Sequence, residues 1–172
     1  VSEPDRPRTP LPPIDDDAVE AFWARFTGST GDRAPAHYDD VDHFGDSVEL
    51  ADELLALVLD GPKRATAGAV VEYEAEGAAI PAVGDRWIAC DGRGMPRAVL
   101  RTTDVRVGPL SSVDAAFAWD EGEGDRTRDD WLRAHREYFE RTLGRIGVPF
   151  DDGIAVVFER FEVEYAEPAG EP

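Results

Sequence analysis

Six consecutive residues, Gly61-Pro62-Lys63-Arg64-Ala65-Thr66, hold the most reactive pairing in the chain. A threonine hydroxyl is a weak nucleophile until a base takes its proton. A lysine three positions away across a tight turn can be that base if burial keeps it neutral. Lys63 is also the only lysine in the sequence. Arginine serves wherever a positive charge alone is wanted, so a surviving lysine draws attention. The plainer reading is that Lys63 follows a helix C-terminus and stabilises its dipole by about 0.5 kcal/mol. Thr66 then simply begins a strand.

A second constellation is Asp120-Glu121-Gly122-Glu123-Gly124-Asp125, four acids and two glycines read as a loop. A carboxylate there can protonate a leaving amine or orient water. The glycines let a backbone N–H approach a developing oxyanion. The alternative is a solvated acidic turn, at most a loose cation site. Arg64, Arg101 and Arg160 can line a groove for phosphate through bidentate hydrogen bonds. In so acidic a chain the favoured reading of each is an ion pair, with Glu72, Glu74 and Glu159 as partners. Tyr73 or Trp119 can stack on a base, whereas Trp23, Trp87 and Trp131 are read as core. Glu74 and Glu123 complete the candidate binding residues. His37 and His43 share a loop, and His135 is expected to face solvent. No spacing of His, Cys and acid suits a metal, so neither metal nor other cofactor is expected.

These residues need elements to position them. Asp15 to Asp17 supply an N-cap for a first helix with apolar Val19, Phe22, Trp23 and Phe26, ended by Gly28. Residues 28–45 read as a loop. A second helix is expected to start at Asp46 or Ser47, with Asp46 and Glu49 at capping-box spacing and a face of Leu50, Leu54, Leu57 and Val58. Gly61 and Pro62 stop it. Strands are expected over 66–73, 86–90, 97–107 and 154–165, with a short helix capped by Ser112 and a long one capped by Thr127. Short, turn-linked strands and the lack of a Gly-rich phosphate loop favour a small antiparallel barrel flanked by helices.

The 172 residues fit one ordinary domain. With 42% apolar residues the chain can afford a core. One cysteine, Cys90, allows no internal disulfide. No segment reads as a signal peptide or membrane span, so a cytoplasmic location is expected by elimination. Acids number 37 against 18 Lys and Arg, a net charge of −19. That charge repels polyanions at long range, so duplex DNA is not an expected partner. A high-GC genome or a high-salt cytoplasm would each give an acidic, Arg-rich chain.

Taken in order, the segments around Phe44-Gly45-Asp46-Ser47, Lys63 to Thr66, Glu72-Tyr73-Glu74, Val83-Gly84-Asp85, Arg101-Thr102-Thr103, Glu121 to Asp125 and Phe158 to Val163 resemble the ASCH domain family. The resemblance covers about residues 40–166. It implies an α+β fold, a small PUA-like antiparallel β-barrel flanked by helices, and RNA as a ligand. The domain would run over 15–166, between a flexible lead-in at 1–14 and a disordered tail at 167–172. One small family member is an amidohydrolase on N4-acetylated cytidine that uses a Lys, a Thr and a Glu. Another, closer in size, cleaves single-stranded RNA. By resemblance the Lys and Thr fall on Lys63 and Thr66, and the Glu on Glu121, with Glu123 as the alternative. This chain has Pro62 where that amidohydrolase carries a basic residue, and it is considerably longer. The expected function is therefore a hydrolase acting on a nucleoside or single-stranded RNA. The alternative is a non-catalytic RNA-binding module with a regulatory role.

Overall fold

The computed structural model describes residues 8–167. The elements are α1 (Asp16–Thr30), β1 (Asp40–His43), α2 (Val48–Leu59), β2 (Ala65–Ala69), α3 (Val70–Glu76), β3 (Arg86–Cys90), β4 (Pro96–Pro109), α4 (Ala115–Glu121), α5 (Arg128–Arg145) and β5 (Ala155–Ala166). The five strands form one sheet in the order β1-β3-β4-β5-β2. β2 and β5 are antiparallel, but β1 runs parallel to β3, so the sheet is mixed rather than purely antiparallel. By packing, the chain divides into two compact units. Among the described residues one comprises 8–59, 86–100 and 163–167; the other comprises 60–85 and 101–162.

In the first unit the Asp15 carboxylate caps α1 by accepting the Ala18 N–H at 2.9 Å. Val19, Phe22, Trp23 and Phe26 then face inward and pack with Ile88, Cys90 and Val99. Truncating Phe22, which is fully buried, to alanine costs about 3–5 kcal/mol in such a core. The helix runs past Gly28 to Thr30. Of the two expected starts Ser47 opens α2, its hydroxyl accepting the Leu50 N–H at 3.3 Å. Glu49 is engaged by Thr9, whose hydroxyl lies 2.5 Å from it. Residues 8–14 of the expected lead-in have no regular structure, yet the Val48 N–H binds the Thr9 carbonyl at 3.0 Å. Residues 1–7 of that lead-in and 168–172 of the expected tail lie outside the described residues. Trp87, read as core, is half-buried with its ring 5.0 Å from Phe44. Burial pushes the Cys90 thiol up to about 12, aided by Asp91 and Asp42.

In the second unit the apolar core gathers Phe117, Trp131, Phe139, Leu143, Val156 and Phe158. The strand expected over 66–73 stops at Ala69, and α3 follows at once. Glu72 secures that switch by accepting the Ala69 N–H at 3.1 Å. Back in the first unit, residues 28–45, read as loop, hold β1: four residues alternating Asp with Val and His carry too weak a period to signal a strand. Asp114 rather than Ser112 caps α4, accepting the Phe117 N–H at 2.7 Å. Thr127 caps α5 as its spacing predicts, accepting the Asp130 N–H at 3.2 Å. Among the described residues no helix is long and apolar enough to cross a membrane.

Candidate functional site

Lys63 sits between α2 and β2, at the stop that Gly61 and Pro62 impose. Its side chain is only 1% exposed. The ammonium lies 2.5 Å from the Glu123 carboxylate and 3.6 Å from that of Glu121. Burial would drive this lysine toward the neutral form, but the two carboxylates outweigh it and hold the pKa above the ordinary range. The condition for a basic Lys63 is therefore not met in this arrangement. Lys63 is a buried, charged donor.

The two acids differ. Glu121 is the last residue of α4 rather than part of a loop, and its side chain is 2% exposed. One carboxylate oxygen accepts the Trp131 indole N–H. The other lies 3.5 Å from His135 Nε2 and also faces Lys63. Burial pushes Glu121 up, but His135 and Lys63 together hold it below the ordinary carboxylate range. Glu123 follows the α4 cap and is 27% exposed, so it alone of the pair reaches the surface.

His135 overturns its expected place in solvent. It is buried, 8% exposed, and stacked on Trp131 with ring centroids 3.7 Å apart. Its Nδ1–H donates to the Trp131 carbonyl at 3.0 Å, which turns Nε2 toward Glu121. Burial disfavours its charge, yet Glu121 and, farther off, Glu123 raise its pKa above 6.5. Trp131 and His135 are one turn apart on α5, so a single helical face supplies both. That i,i+4 spacing was the available signal. It was missed because the burial of that face depends on α4.

Backbone packing brings the acidic segment onto the Lys63 turn. The Arg64 N–H binds the Asp120 carbonyl at 2.7 Å. Gly122, at φ +73, lies so close that a Cβ there would come within 2.8 Å of the Lys63 nitrogen. Thr66 is half-buried on β2, opposite Glu159 of β5. Its hydroxyl makes no hydrogen bond among the described residues. Glu159 itself is buried and accepts the Thr102 hydroxyl at 2.6 Å.

Arg101 and Arg160 are ion-paired with acids outside the expected set. Arg101 binds Glu162 at 2.6 Å, and Arg160 binds Asp120 and Asp104 at 2.8 and 3.0 Å. Arg64 is exposed and donates to the Lys63 carbonyl at 2.6 Å. Tyr73 lies on α3 with its ring over Gly68, where a Cβ would meet it at 3.0 Å. Glu74, beside it, is exposed. Of the predicted catalytic set, then, Lys63 and Glu121, with the alternative Glu123, share one cluster, and Thr66 is the second residue of the adjoining strand.

The model of the ASCH domain matches residues 40–165. The chain is similar to an ASCH domain crystal structure from Lactobacillus crispatus, with a TM-score of 0.78 and 27% identity over 87% of this chain and 95% of that one. It is similar also to the crystal structure of protein EF3133 from Enterococcus faecalis, of the DUF984 family. There the TM-score is 0.74 and the identity 33%, over 86% of this chain and 88% of that one. No curated protein matches it. The α+β, PUA-like fold expected from the sequence is the fold these structures share with it.

Proposed function

Because the chain belongs to the ASCH domain family, which is generally RNA-binding, we propose that it is a hydrolase acting on a modified pyrimidine nucleoside such as N4-acetylated cytidine. One observation carries this reading: a buried charged lysine clamped between a sealed carboxylate and a part-exposed one. A fixed cation in a dry site is suited to an oxyanion, and a reachable carboxylate to a proton.

The roles follow. Thr66 attacks the acetyl carbonyl carbon and gives its proton to Glu123. The Lys63 ammonium donates to the carbonyl oxygen as it gains negative charge. Glu123 then passes the proton to N4 as the C–N bond breaks, releasing cytidine. Water, deprotonated by Glu123, attacks the acetyl ester; as the C–O bond to Thr66 breaks, Glu123 returns the proton to the Thr66 oxygen, and acetic acid leaves and ionises in solvent. Glu121 is the counter-charge that keeps Lys63 protonated when Glu123 is neutral. A net charge of −19 favours a small neutral substrate over a long polyanion.

The test is release of cytidine from N4-acetylcytidine, followed by chromatography. Wild type should turn over, and Glu123→Gln should lose about 100-fold or more. The variant also takes one of two counter-charges from a buried lysine, so its thermal midpoint should fall, and turnover is read at a temperature where both proteins are folded. Wild-type turnover by Glu123→Gln would remove Glu123 as proton carrier. No release by wild type would remove this substrate. The second reading, an RNA-binding module without turnover, is favoured by the family's general ligand. It predicts affinity that falls steeply with salt.

A further inference from the structure

Trp119, one residue before Asp120 on α4, is 58% exposed. Leaving an indole in water forgoes the burial that the other tryptophans obtain wholly or in part. The ring is not loose, however. The Arg126 guanidinium lies 3.7 Å from its centroid. The same guanidinium donates two hydrogen bonds, at 2.9 and 2.7 Å, to the Trp119 carbonyl. Arg126 has no carboxylate partner among the described residues, although acids outnumber basic residues about two to one. It is also the one non-glycine described residue at positive φ, +63, a backbone state that long side chains avoid. The chain thus holds an arginine in a strained conformation to brace an exposed indole from one side.

Segment 119–126 also carries the chemistry. The Arg126 N–H closes a turn on the Glu123 carbonyl at 3.0 Å. Glu123 reaches Lys63, and the Asp120 carbonyl holds the Arg64 N–H. Trp119 is thus tied through Arg126 to the same turn that carries Glu123. We propose that Trp119, backed by Arg126, is a stacking platform for a nucleobase, supplied either by a free nucleoside or by a single strand. A cation on the far face of the indole holds the ring still, so less freedom is lost when a base stacks on the near face. Stacking needs only a π-face and tolerates any base, so the platform supplies affinity, and Lys63 with Glu123 supply the chemistry. This inference rests on the nucleoside reading of the site.

The experiment is fluorescence titration of the full chain with cytidine and with a short oligocytidylate, each at low and high salt. Trp23 and Trp131 are buried and Trp87 half-buried, so quenching reports mainly on Trp119. Wild type should bind with quenching, and Trp119→Ala should weaken binding about tenfold or more. Trp119→Phe should keep most of the affinity without the quench. Arg126→Gly separates platform from scaffold: glycine suits a positive φ, so the thermal midpoint should equal or exceed wild type while binding weakens. Cytidine affinity indifferent to salt identifies a nucleoside subsite; tighter, salt-sensitive oligocytidylate binding identifies a strand. Wild-type affinity in Trp119→Ala or Arg126→Gly overturns the platform, even if N4-acetylcytidine is hydrolysed. Binding that depends on Trp119 without such hydrolysis leaves the platform standing and removes the enzyme. A wild type that binds neither probe overturns both platform and nucleoside reading.

Discussion

At the scale of single residues, Glu121 and His135 turn a lysine's immediate surroundings into a network. Each is buried, and each favours the charged form of the other, with Lys63 adding to the effect on Glu121 and Glu123 to that on His135. His135, with its pKa raised, contributes stability that is complete below its ordinary 6.5 and lost as pH climbs through the raised value. Glu121, with its pKa lowered, contributes stability present above its ordinary 4.5 and lost as pH falls through the lowered value. The pair therefore favours folding most between those two ordinary values. Thermal melts across pH should show wild type losing stability as pH rises above 6.5. His135→Gln, which cannot take up the proton, should be flatter over that limb. Equal slopes would mean that His135 is neutral beside Glu121.

Elements matter here because α4, the acidic turn and α5 act as one clamp on the Lys63 turn. α4 ends at Glu121, Gly122 caps it at φ +73, and α5 returns Trp131 and His135 to the same carboxylate. Gly122→Ala forces a side chain into the left-handed region and a Cβ against Lys63 and Pro62 backbone. Neither obstacle is a flexible side-chain end, so the cost should be about 2 kcal/mol or more by chemical denaturation. Turnover should fall with it, because the clamp sets the distance from Lys63 to Glu123. A variant as stable as wild type would show that this turn can shift freely.

Much at this scale was legible from the sequence. Thr127 opening α5 and Asp15 opening α1 follow from side chains that reach backbone three residues on. Gly61 and Pro62 end α2 near where glycine and proline should. The switch from β2 to α3 was not legible. Val70, Val71 and Tyr73 are good strand residues, and the helix is set by Glu72 reaching back to the Ala69 N–H.

For the whole molecule, charge is the dominant property. A net −19 makes the folded chain repel itself. Salt screens that repulsion, with a Debye length of about 30 Å at 0.01 M and about 10 Å at 0.1 M. The thermal midpoint should therefore rise with sodium chloride over that range. A falling midpoint would mean that surface ion pairs such as Arg136–Asp152 outweigh the repulsion. Whatever the outcome, the Lys63 cluster should be nearly indifferent, because buried charges are screened much less.

What the sequence determined by itself was local or compositional: most helix starts and strands, the acidity, the solitary lysine and the ordered motifs of an ASCH domain. Those signals act within a few residues or sum over the chain, so they survive without coordinates. Tertiary structure alone decided the state of that lysine. Its partner Glu123 is 60 positions away, and Glu121 in turn meets Trp131 and His135 from another helix. Burial alone would have made Lys63 neutral; two carboxylates brought in from a distant segment make it a cation. In the function proposed above, that difference makes the lysine an electrostatic donor rather than a base.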